Sequence, residues 1–122
     1  MVTIKEAEMQ TGITRQNIRY YEKIGLLQPS REQENKYRNY SEEDIRRLKL
    51  ILLFRKLDMP LEEIRQLLEG TIELQDALQM QKEMLEERQQ KLQAAISFCG
   101  QIEEKELTQL DVDGYLSKIK TE

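Results

Sequence analysis

Five hydrogen-bond donors, Arg15, Gln16, Arg19, Tyr20 and Lys23, fall within nine residues and largely on one side of a helix. Guanidinium, amide, phenol and ammonium groups collected in this way suit phosphate oxygens and the edges of bases. Ile18, Tyr21 and Ile24 recur at i, i+3 and i+6 on the other side and can face a core. Thr14 is placed to cap the first turn, because its hydroxyl can accept from an orphan backbone N–H, and Gly25 is placed to stop the last. A helix that enters DNA has this form, but so do many ordinary surface helices. Other chemistry is poorly supplied. The 122 residues include no histidine, which removes the usual general base and the commonest metal ligand. One cysteine, Cys99, allows no disulfide within the chain and no zinc-finger or iron–sulfur spacing. With no paired-carboxylate motif and no Gly-rich phosphate loop either, an enzyme is the least supported class. No catalytic residue, metal ligand or cofactor is expected.

The net charge of −4 hides a division. Residues 1–56 carry 12 Lys and Arg against 8 Asp and Glu, whereas residues 57–122 carry 7 against 15. The first part therefore suits a polyanion and the second does not. No apolar run approaches the roughly 18 residues of a membrane span, and the N-terminus lacks the apolar stretch of a secretion signal. A cytoplasmic protein with no membrane partner is the expectation.

The elements that must position the donors follow in order. Thr3-Ile4-Lys5-Glu6 fits a capping box and predicts a first helix over about 4–10, with Ala7 and Met9 as apolar positions. Thr11-Gly12-Ile13 breaks it, so that a helix-turn-helix, or any helical hairpin, is the pattern. After Pro29 and a polar loop, Leu26–Gln28 and Tyr37–Asn39 can pair as a small two-stranded β-ribbon. It presents Tyr37 and Arg38, while Tyr40 goes to the core; two half-buried tyrosines closing a small core is the plainer reading. Ser41 opens a third helix with Ile45, Leu48, Ile51 and Leu52 apolar. Pro60 separates it from a fourth, Leu61 to Gly70, and the two support the hairpin from behind.

From Ile72 to about Lys105 there is no proline. Leu78, Leu85, Leu92 and Cys99 recur every seven residues, beside a second stripe of Gln81, Arg88, Ala95 and Ile102. One helix cannot bury such a stripe alone, so a coiled coil is expected. Its polar first half and apolar second half make antiparallel pairing at least as suitable as parallel. Thr108–Glu122 reads as a loop and a short helix, with Asp113 as a candidate cap.

Taken together, the chain resembles the MerR family of bacterial transcription regulators. The resemblance rests on Thr14, on Ile18-Arg19-Tyr20-Tyr21-Glu22-Lys23, on Gly25-Leu26-Leu27 and Pro29, on Tyr37-Arg38-Asn39-Tyr40 and on Leu61-Glu62-Glu63-Ile64. It implies a mainly α fold: a winged helix-turn-helix DNA-binding domain over 1–70, an antiparallel coiled-coil dimerisation helix over 71–106 and a short tail helix over 107–122. It further implies a homodimer on a pseudo-palindromic promoter, distorting the DNA so that RNA polymerase engages it. By position, Gln16, Arg19 and Tyr20 meet DNA from the recognition helix, with Thr14 at its start. Tyr37 and Arg38 meet it from the wing, and Arg55 reaches phosphate from the third helix. Arg15 joins them through its exposed first-turn place rather than through the family pattern. Lys36 stands where the family usually has a wing glycine and adds a phosphate contact, and Asp58 stands where a glycine usually ends the third helix.

Leu78, Leu85, Leu92, Ala95, Cys99 and Ile102 are the expected dimerisation residues. The family's metal sensors place several cysteines around the dimer helix, and its iron–sulfur branch needs more thiols than one. Cys99 is read as part of the apolar stripe, with a reactive-thiol sensor as the other reading. The effector is not identified by the sequence. A small apolar ligand where Tyr115, Leu116 and Ile119 approach Phe98 and Ile102 is the expectation, either in a minimal regulator or in a piece of a longer one. The alternative from another class is a MerR-like adaptor that binds a partner protein rather than DNA.

Overall fold

Three helices start by the same local device, a hydroxyl that takes a backbone N–H of the first turn. Thr3 accepts from the N–H of Glu6, Thr14 from that of Asn17 and Ser41 from that of Asp44. At Ser41 the box is reciprocal, with its own N–H bonded to Asp44 Oδ2 at 2.9 Å. At Thr3 it is not: the Glu6 carboxylate takes the threonine hydroxyl instead of the cap N–H. In this computed structural model, which describes residues 1–28, 30–31 and 38–119, the chain is mainly helical. The order is α1 (Ile4–Thr11), α2 (Arg15–Lys23), β1 (Ser30–Arg31), β2 (Arg38–Asn39), α3 (Glu42–Lys56), α4 (Leu61–Glu69), α5 (Leu74–Gln101), a 3-10 turn (Leu107–Gln109) and α6 (Val112–Lys118). The chain divides into two compact units, Met1–Glu83 and Met84–Glu122, with the division inside α5.

The core of the first unit gathers one face from each of its helices. Ala7 from α1, Ile18 and Tyr21 from α2, and Ile45, Leu48, Ile51 and Phe54 from α3 join Ile64 from α4 and Ala77 from α5. Each large apolar side chain buried in this way contributes roughly 1.5–3 kcal/mol. Met9, expected on the apolar side of α1, is instead exposed, and Thr11 takes the inward place. The Thr11 hydroxyl donates to Ala7 O at 2.8 Å and accepts from Ile13 N at 3.1 Å, which ties the α1–α2 turn to the helix before it.

The loop leaving α2 is held from two other helices. Gly25 takes φ +83°, turning the chain where a side chain would be strained. The carbonyls around it are then satisfied by cations: Arg65 of α4 donates to Ile24 O, and Arg47 of α3 donates to Leu26 O at 2.6 Å. This draws Leu26 and Leu27 fully into the core. The ribbon therefore starts later than sequence reasoning placed it. Ser30 pairs with Asn39 and Arg31 with Arg38, antiparallel, and Leu26–Gln28 is not a strand. Tyr40 is buried as expected; its hydroxyl donates to Glu22 Oε1 at 2.6 Å, and its backbone bridges to Val2.

α3 ends at Lys56 with Leu57 as its cap, and Asp58 turns the chain with φ +63°. That conformation is uncommon outside glycine and tolerated by aspartate. Along α5, Gln81 departs from its expected place on a stripe facing a partner. It is 3% exposed and its amide donates to Leu57 O at 2.8 Å, so it closes the end of α3 within its own unit. α5 spans 74–101 where 71–106 was expected, leaving Ile102 just beyond its end. In the second unit the cap of α6 is Asp111, not Asp113, because its carboxylate accepts from Gly114 N at 3.2 Å.

Candidate nucleic-acid interface

α2 owes its orientation to its underside. Ile18 is fully buried and Tyr21 nearly so, and the helix cannot rotate without exposing one of them. Arg15, Gln16, Arg19, Tyr20 and Lys23 are thereby all left exposed, with Tyr20 48% open to solvent. The Tyr20 ring lies 6.2 Å from that of Tyr21, tilted by 53°, so it is steadied by a buried neighbour while its phenol has no hydrogen-bond partner among the described residues. Three cations, an amide and a phenol on one rigid surface can donate to phosphate oxygens and base edges.

Not every expected donor is uncommitted. The Thr14 hydroxyl is engaged as the helix cap, accepting from Asn17 N at 3.2 Å. Arg15 is paired with Glu8 of α1: its Nε lies 3.3 Å from Glu8 Oε1, and its backbone N–H donates to Glu8 Oε2 at 2.9 Å. That backbone hydrogen bond, and after it the guanidinium, holds the Glu8 carboxyl below its ordinary pKa. Glu8 was not picked out from the sequence; the signal was a carboxylate in the last turn of one helix, across a short connection from a helix whose first residue is a cation. Arg55 donates to Met59 O at 2.6 Å and so also supports the α3–α4 turn. Lys36, Tyr37 and the side chain of Arg38 lie outside the described residues; the Arg38 backbone belongs to β2.

The residues expected to dimerise fall into two groups. Leu78 packs against the core of the first unit. In the second unit Leu85 is half-buried, while Leu92, Ala95 and Cys99 on α5 and Ile102 beyond it are exposed. Around Tyr115 that unit has its own small cluster. Tyr115 donates to Glu104 Oε1 at 2.5 Å, meets Phe98 edge-on at 5.7 Å and lies beneath Lys118. The hydrogen bond lowers the pKa of Glu104 and raises that of Tyr115, because it favours the carboxylate and the neutral phenol. Leu116 and Ile119, expected beside Phe98, are largely exposed. Among the described residues no three His, Cys, Asp or Glu side chains could hold a metal ion, and no helix is long and apolar enough to cross a membrane.

Known proteins share both the sequence pattern and the fold. Residues 45–109 match the family described as MerR, DNA binding. The HTH-type transcriptional activator mta of Bacillus subtilis (strain 168) is 32% identical over 112 residues, which is 91% of this chain and 41% of the activator. This chain thus spans less than half the length of that curated relative. The crystal structure of MtaN, the N-terminus of the Bacillus subtilis multidrug transporter activator, superposes with a TM-score of 0.77 at 30% identity, covering 83% of this chain and 96% of that one. The structure of HiNmlR, a MerR family regulator lacking the sensor domain and bound to promoter DNA, gives 0.54 at 25% identity, covering 82% of this chain and 76% of that one. These relatives are regulators, which favours regulation over an adaptor or an enzyme. Since residues 2–71 match the MerR HTH family regulatory proteins, the chain belongs to the MerR family of helix-turn-helix transcription regulators.

Proposed function

We propose that the chain is a sequence-specific DNA-binding transcription regulator that acts as a homodimer on a pseudo-palindromic promoter. The observation that carries this reading is α2: donors exposed on one side and Ile18 and Tyr21 sunk on the other. A related regulator bound to promoter DNA supports duplex DNA as the partner. In this reading residues 1–70 bind DNA, 71–106 dimerise and 107–122 form the tail. Thr14, Arg15, Gln16, Arg19 and Tyr20 meet DNA from α2, Lys36, Tyr37 and Arg38 from the wing around β1 and β2, and Arg55 from α3. Leu85, Leu92, Ala95, Cys99 and Ile102 pair with their counterparts in an antiparallel coiled coil. The exposure of Leu92 and Cys99 in the single chain supports that pairing.

The dimer distorts the promoter, and RNA polymerase responds to the distortion rather than to the protein. A small apolar ligand held beside Phe98 and Tyr115 would act only through its differential affinity for the distorting geometry. A gel shift on the region upstream of the protein's own gene tests the reading. Saturable binding there, resisting an excess of unrelated duplex, is expected; equal competition by unrelated duplex would overturn sequence specificity.

A further inference from the structure

The Glu8–Arg15 pair is out of place on a surface built for an anion. A carboxylate beside the recognition helix repels phosphate, and so weakens binding to any DNA sequence. Nor does it add much to the fold, because both side chains are substantially exposed, 47% for Arg15 and 35% for Glu8, and exposed ion pairs contribute little. Its geometry is nevertheless specific. Both Glu8 oxygens are spent on Arg15, one on the backbone N–H and one on Nε. Among the described residues the two terminal nitrogens of Arg15 have no partner. Held by its Nε edge and its backbone, the guanidinium keeps its outer pair of donors open. Two parallel donors at fixed spacing match one base edge in the major groove, the O6 and N7 acceptors of guanine.

Resting on the DNA-binding reading above, we infer that Glu8 is a positioning residue that dedicates Arg15 to reading a guanine in each half-site. Glu8 lowers the affinity for DNA in general and raises discrimination, because a held guanidinium cannot swing to the nearest phosphate. Removing the carboxylate therefore has two effects of opposite sign. Arg15, released, becomes a phosphate contact: binding to mixed-sequence DNA tightens and its salt slope steepens by about one unit. The guanine is no longer read, and discrimination falls.

Fluorescence anisotropy with the full chain tests this on promoter duplexes in which single guanines are replaced by 7-deazaguanine, which lacks the N7 acceptor. Wild type should lose roughly ten-fold or more in affinity at one guanine per half-site. Glu8→Gln keeps an acceptor for the Arg15 N–H but no charge, and should lose little at that position while binding mixed-sequence DNA more tightly. Arg15→Lys keeps the charge without the fork, and should lose the same sensitivity. Melting temperatures of both variants should stay near that of wild type, which separates positioning from folding. A Glu8→Gln protein that still senses the deazaguanine as wild type does, or an Arg15→Lys protein that does, overturns the inference alone. A wild type that binds promoter and mixed-sequence duplexes equally overturns the DNA-reading assignment of α2, and this inference with it.

Discussion

α2 and the second half of α5 are both amphipathic, yet their apolar sides meet opposite fates. α2 is nine residues long and buries Ile18 and Tyr21 within its own unit, so its donors are held in place by one chain. α5 is 28 residues long, and beyond Glu83 it leaves Leu92 at 59% and Ile96 at 65% exposure. Burial of such side chains is worth roughly 1.5–3 kcal/mol each, a gain that a lone chain forgoes. The difference teaches that the donor surface of α2 is held in place within one copy, while the long helix leaves an apolar side uncovered that the proposed dimer would bury. In the proposed dimer, two copies would set the spacing at which two α2 surfaces meet one duplex.

The sharpest way to break that contrast is Leu92→Asp. In a single chain the new carboxylate stays in water and costs little. In a coiled coil it is buried without a partner, at a cost of several kcal/mol. Sedimentation should show the mass falling from twice the 14.6 kDa of one chain to once, with helix content and core stability nearly unchanged. A variant that stays dimeric would place the interface elsewhere.

Arg19→Ala probes the other region. Arg19 is exposed and, among the described residues, makes no hydrogen bond or ion pair with its side chain, so the melting temperature should hold. Promoter affinity should fall several-fold, and the slope of log K against log salt should decrease by about one unit. Loss of stability in place of loss of binding would make Arg19 structural.

Asp58→Gly separates strain from pairing. Asp58 holds φ +63°, and glycine adopts it freely, so the melting temperature should rise, by on the order of 1 kcal/mol in stability, with DNA binding unaltered. A fall would show that the interactions of the Asp58 side chain outweigh the backbone cost.

The smallest effect lies in the second unit. Tyr115 and then the Asp111 backbone N–H keep the Glu104 carboxyl below its ordinary pKa of 4.5. A depressed carboxylate contributes stability that is complete above that value and is lost as pH falls through the folded one. Tyr115→Phe should therefore lower the melting temperature slightly at neutral pH, flatten its decline below about pH 4.5 and leave the strongly acid end little changed. An unaltered acid limb would show that the hydrogen bond does not form in solution.

These two regions were also unequally legible in the sequence. Local chemistry was readable: the caps Thr3, Thr14 and Ser41, the stop at Gly70 and the inward set Ile18 and Tyr21 all depend on neighbours a few residues away. What was not readable depends on distance along the chain. Arg47 and Arg65 reach carbonyls 21 and 41 residues earlier, and nothing local separates them from the cations proposed to meet DNA. Heptad spacing put Gln81 on the partner stripe, because a repeat carries no sign of where the helix first meets its own core. The ribbon was placed too early for a related reason: Leu26 and Leu27 fit a strand locally, but the core claims them. Glu8 escaped notice since its partner lies across a turn, in the next helix.

Sedimentation velocity of the chain, alone and with a duplex from upstream of its own gene, tests most directly the claim that one copy completes α2 and two complete α5. A species of twice 14.6 kDa is expected without DNA, and a single complex of two chains per duplex with it. A monomer that binds the duplex as one chain, with Leu92→Asp behaving as wild type, would contradict it.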